Sequence, residues 1–127
     1  MQWQIILAVG TGGFLGAVGR YSLSGWVQKL MGPTFPYGTL SVNVLGSFLI
    51  GFLLLYFEQI LSPQQKLFAV TGLLGALTTF STFSLETVFM LQNNLYMKAI
   101  SNISLNIILC IFATILGMML FRKIYGI

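Results

Sequence analysis

Charged positions punctuate this chain at residues 20, 29, 58, 66, 86, 98, 122 and 123, and the stretches between them are long and apolar. No charge falls within 1–19, 30–57, 67–85 or 99–121. Each run supplies the ~20 residues that a helix needs to cross the hydrocarbon core of a bilayer. The pattern predicts four helical spans, over residues 3–26, 37–57, 65–91 and 99–121, in one membrane domain covering 1–127. Trp3 and Trp26 bracket the first span as interfacial anchors do. GPTFPYG (32–38) carries two of the three prolines and reads as a turn. In EQILSPQQK (58–66), Ser62-Pro63 predicts a helix start by capping and first-turn preference. QNNLYMK (92–98) is the third connection.

Composition sharpens the class. The chain is 57% hydrophobic and 6% charged, with a mean hydropathy of +0.92, against about 25% charged residues in soluble domains. An all-α integral membrane protein is expected. The first run is expected to stay in place, because MQWQ lacks a basic n-region and the run outlasts a signal h-region of roughly 7–15 residues. Cys110 is the only cysteine, so it forms no intrachain disulfide. The net charge of +4 comes from scattered basic residues, which gives no footprint for nucleic acid.

Charge also bears on orientation. With four spans, Lys66, Arg122 and Lys123 fall on one side and Arg20, Lys29 and Lys98 on the other. Membrane orientation follows the Lys/Arg bias, and here the bias vanishes. Two readings stay open: a weakly specified single orientation, or insertion both ways up, which would allow an antiparallel dimer.

Against this apolar background the polar residues fall into ridges. In the third span Gly75, Thr79, Thr82 and Glu86 share one helical face, with Thr78 on its shoulder and Phe80 and Phe83 beside it. In the second, Thr39, Asn43 and Ser47 recur every four residues, as do Asn102, Asn106, Cys110 and Thr114 in the fourth. Polar groups at membrane depth are costly unless they face protein or water, and so mark function by default. The plainer role is interhelical glue, worth about 0.6 to 2 kcal/mol per contact. Glue suits the single hydroxyls; the asparagines point at least as well to function.

The chemical inventory is thin. There is no histidine, no acid pair within a span, and no base beside Cys110. Hydrolytic, metal and nucleophilic catalysis all lack parts, so no enzyme is expected. Amides, hydroxyls and the electropositive edges of phenylalanine rings are mostly donors. Donors without fixed positive charge suit an anion that must also leave. Glu86 counts somewhat against an anion.

The glycines carry a separate signal. GTGGFLGAVGR mimics a dinucleotide loop, but its spacing is wrong and no strand precedes it. Gly12 with Gly16, and Ser47 with Gly51, fit small-xxx-small helix packing instead. Gly72 and Gly75 are candidates for a break in the third span, tolerated at depth only when it is buried or lines a cavity.

Three motifs then carry a resemblance: GAVGRY (16–21), YGTLSVNVLGS (37–47) and TGLLGALTTFSTFSLET (71–87). Over its whole length the chain resembles the Fluc/CrcB fluoride channels. The resemblance implies a third helix that is interrupted, an antiparallel dual-topology homodimer in the plasma (inner) membrane, and passive fluoride export through two pores. It implies lipid and a second copy as partners, and no obligate protein partner. By the same resemblance Asn43 is the pore amide, Phe80 and Phe83 offer ring edges, and Ser81 and Thr82 add hydroxyls. Gly75 and Thr78 give backbone carbonyls to a structural sodium ion (Na+), while Arg20 and Glu86 fill structural or vestibule positions. Thr39 joins the path on the second span. In the family the fourth span carries a Tyr and Ser track; here Asn102, Asn106 and Cys110 hold that face. Two other classes remain: a proton-coupled exporter of the small multidrug type using Glu86, and a non-conducting membrane scaffold.

Overall fold

The computed structural model describes residues 2–59 and 62–126; positions 60 and 61 of the predicted second connection lie outside them. Helix α1 spans Gln2–Met31 and α2 spans Tyr37–Gln59. The third span, Pro63–Gln92, has two parts, here α3 (63–77) and α4 (Phe80–Gln92). Helix α5 covers Tyr96–Tyr125. All four spans are long and apolar enough to cross a membrane. At 1.5 Å per residue, the 30-residue α1 and α5 measure about 45 Å and the 23-residue α2 about 35 Å.

Local chemistry sets the ends. Gly32 takes a φ of +92° after α1, a conformation that glycine adopts without steric cost. Gln28 then clasps the turn: its Nε2 donates to the carbonyls of Gly32 (2.6 Å) and Phe35 (2.8 Å), and Gly38 N–H donates to its Oε1 (3.1 Å). Ser62 starts α3 with a capping box, accepting from Gln65 N–H while its own N–H donates to Gln65 Oε1. Pro63 follows in the first turn, where a missing N–H costs nothing.

Between Leu67 and Leu74 the turns of α3 widen to π geometry, and Gly75 N–H reaches back to the carbonyl of Val70. This stretch lies along α1, α2 runs along α5, and α4 leans chiefly on α5. Glycines make the first two contacts. A Cβ on Gly12 would strike the Phe68 carbonyl, and one on Gly16 the Leu73 carbonyl. Gly51 meets the Thr114 backbone and Gly117 the Phe48 backbone in the same way. Lipid offers helices no hydrophobic drive to associate, so close backbone approach supplies the packing. Buried Val42, Leu74 and Leu77 form the apolar centre, edged by Leu23, Leu49, Ile50 and Leu53.

Candidate functional site

The chain parts at Thr78 and Thr79, whose backbones are extended (φ −84°, ψ 156° and φ −149°, ψ 118°). Gly72 and Gly75, the candidates for a break, are both still helical. Gly72 serves packing instead, since a Cβ there would meet the Val9 carbonyl. The parting moves to the two threonines for a physical reason. Branched side chains accept extended backbone, and hydroxyls make good N-caps. Thr78 bonds back to the Leu74 carbonyl through both its N–H (3.2 Å) and its hydroxyl (3.1 Å). Thr79 Oγ1 accepts from Thr82 N–H (3.3 Å) and so caps α4. The single polar stripe expected along the third span is therefore divided, because Thr79 turns to its capping role.

Backbone groups exposed by a break at membrane depth need partners, and Asn43 supplies them. Thr79 N–H donates to Asn43 Oδ1 (2.8 Å), and Asn43 Nδ2 donates to the Thr79 carbonyl (3.2 Å). The amide thus pairs with one residue as a neighbouring strand would. Its Nδ2 also donates to Asn106 Oδ1 (3.1 Å). Asn106 Nδ2 donates to the carbonyl (2.9 Å) and Oδ1 (3.0 Å) of Asn102. Asn102 Nδ2 donates to Thr87 Oγ1 (3.0 Å), which donates in turn to the Phe83 carbonyl (2.8 Å). Asn102 and Asn106 are 1% and 6% exposed. The polar ridges of the second, third and fourth spans therefore meet at Asn43.

Beside this junction lies a groove of about 400 Å³, lined among others by Asn43, Gly75, Thr78, Phe80, Phe83, Asn106 and Cys110. The rings of Phe80 and Phe83 stand 5.4 Å apart at 59°. Phe83 is buried at 8% exposure while Phe80 is open at 79%. Ser81 and Thr82 are exposed on the first turn of α4, and Thr82 Oγ1 accepts from the Thr79 hydroxyl (3.1 Å). Asn102 is sealed between helices rather than set in the groove wall. Thr39 and Glu86 lie elsewhere. Glu86 lines a second cavity of about 460 Å³ with Gln28 and Lys98, and Thr39 is its polar neighbour. Its Oε1 is buried without a hydrogen-bond partner among the described residues. Arg20 is half-buried on α1 and lines neither cavity.

Ser47 and Thr114 act as glue, with the Thr114 hydroxyl donating to the carbonyls of Ser47 and Cys110 (3.0 Å each). At Gly75 the carbonyl loses its helical donors, because Thr78 N–H serves Leu74 and Thr79 N–H serves Asn43. An oxygen so released suits a hard cation. Two structural residues escaped the sequence reading. Gln28 had no visible signal, since its partners are all backbone. Thr87 ends the 71–87 motif and could have been paired with the every-fourth-residue asparagines.

Apolar spans gathered round a buried polar seam, with one span parted beside a groove, define a small multi-pass membrane protein that carries hydrogen-bonding groups to bilayer depth. The chain belongs to the CrcB family: the model described as CrcB-like protein, Camphor Resistance (CrcB), matches residues 7–118. It is 64% identical over 126 residues to the fluoride-specific ion channel FluC of a Sulfurovum species, covering 99% of this chain and 100% of that one. Its identity to FluC of a Nitratiruptor species is 55% over 126 residues, covering 99% and 98%. With FluC of Shewanella sediminis it is 52% over 117 residues, covering 91% and 94%.

Proposed function

We propose that this protein is a fluoride-selective channel through which cytoplasmic fluoride leaves passively across the plasma membrane. The observation that carries this reading is the meeting of Asn43, Phe80 and Phe83 at one groove beside the parted third span. Burying a small anion without partners costs tens of kcal/mol, so a path for it must replace its water. Amide and hydroxyl protons and ring edges do so without a fixed cation that would hold the ion. The names of the relatives favour this reading over a proton-coupled exporter.

Two antiparallel copies with two pores complete the proposal. The open flank of Phe80 and the even division of Lys and Arg between the two sides support a second copy on the groove. In that assembly the carbonyls of Gly75 and Thr78 from each copy would hold a sodium ion at the centre. The ion would tie the parted spans together with oxygen ligands.

Fluoride efflux from proteoliposomes, with valinomycin balancing charge and chloride-loaded liposomes in parallel, tests the reading. Rapid fluoride release with negligible chloride release is expected. Asn43→Asp, which puts an acceptor-only charge in the path, should stop flux while the dimer still assembles. No release from folded protein would remove the channel. Release that follows a pH gradient and requires Glu86 would return the exporter.

A further inference from the structure

The amide that meets the groove is held directly by the Thr79 backbone and, from its other side, by a relay that ends two helices away. Each joint of the chain Asn43–Asn106–Asn102–Thr87 is oriented by a backbone group that has only one role to offer. Thr79 N–H can only donate, so Asn43 presents Oδ1 to it and Nδ2 to Asn106. The Asn102 carbonyl can only accept, so Asn106 turns Nδ2 towards it and Oδ1 towards Asn43. The Phe83 carbonyl can only accept, so the Thr87 hydroxyl spends its proton there and must accept from Asn102 Nδ2. Turning over either helix-α5 amide would set oxygen against oxygen or N–H against N–H. Asn43 and Asn106 line the groove, whereas Asn102 and Thr87 stand behind it.

We propose that Thr87 is a positioning residue for the Asn43 amide, acting through Asn102 and Asn106. Thr87 is itself buried, at 7% exposure, and touches neither the groove nor Asn43. Its hydroxyl gives the relay a fixed end on α4, the helix that also carries Phe80 and Phe83. The amide and the ring edges are thereby referred to the same short helix. Without that end, Asn102 is free to turn over and set its Nδ2 against Asn106 Nδ2, which loosens the bond that holds the Asn43 amide from the α5 side. The inference rests on the channel reading for its functional consequence, and on the hydrogen bonds alone for its geometry.

The test uses the full chain as wild type, Thr87→Val, Thr87→Ser and the double variant Thr87→Val with Asn102→Leu. Fluoride efflux should fall about tenfold in Thr87→Val, as happens when an outer orienting partner is lost, and should return most of the way in Thr87→Ser. The double variant also removes the donor that valine would strand, which protects the fold, and it too should be slow. Side-chain amide 15N–1H spectra give the second readout, with the Asn43 signal assigned by its loss in Asn43→Ser. That signal should move in Thr87→Val and stay put in Thr87→Ser. Wild-type flux in a folded valine variant, with the Asn43 signal unmoved, would overturn the relay. A wild type that passes no fluoride, while the Asn43 signal still moves in Thr87→Val, would sink the channel and keep the relay.

Discussion

The two parts of the third span are held by opposite means. Helix α3 has the apolar stretch LFAVTGLL over its wide turns, and from 67 to 77 it reaches α1 without a side-chain hydrogen bond among the described residues. Gly12, Gly16 and Gly72 let the two backbones touch there. Helix α4 touches its neighbours through side chains, by the Asn43 pairing at its cap and the Thr87–Asn102 bond along its length. Within lipid these are the two main ways to hold a helix in place. One leaves no adjustable group between the backbones, while the other puts donors where a solute could exchange for them. The polar seam therefore gathers on the second part, against a first part that acts as a fixed wall.

Substituting a side chain into the backbone contact should have the largest effect. Gly16→Val would drive a Cβ into the Leu73 carbonyl, a backbone group that has nowhere to move. A cost of about 3 kcal/mol or more is expected, read as loss of the folded species on size-exclusion after extraction. Asn43→Leu attacks the other part. It strands both the N–H and the carbonyl of Thr79, at about 1–3 kcal/mol for each group, and should lower the thermal midpoint in detergent.

The two helix starts offer a smaller version of the same contrast. Thr79→Val removes a buried cap, and should cost about 2 kcal/mol. Ser62→Ala removes an exposed cap that water can replace, and should cost about 0.5 kcal/mol. Equal losses in thermal midpoint for the two would contradict the contrast between the buried cap at Thr79 and the exposed one at Ser62.

Much of this was legible in the sequence, because spacing between charges reports span length directly. The cap at Ser62 was readable for a similar reason, since Ser-Pro carries its own local geometry. Small-xxx-small spacing pointed Gly12, Gly16 and Gly51 to helix contacts. The parting at Thr78 and Thr79 was hidden, because glycine is the more visible breaker and a hydroxyl run reads as a helical stripe. What decides it is Asn43, a residue 36 positions away that satisfies the extended backbone. The asparagine ridge of the fourth span was visible as a periodicity. Its burial was not, because facing directions depend on how α4 leans on α5. Gln28 stayed silent for another reason: its bonds go to main-chain atoms, which every sequence has.

The unequal helix lengths set how this protein would respond to its surroundings. A hydrocarbon core of about 30 Å leaves α1 and α5 with about 15 Å each to spare, but α2 with only about 5 Å. A thicker bilayer would therefore be absorbed by the long helices, which simply protrude less. The shortfall would fall on α2, whose entry is clasped by Gln28. Mismatch costs fractions of a kcal/mol per Å, delivered first to that clasp. Acyl-chain length becomes a mechanical load with a known point of application.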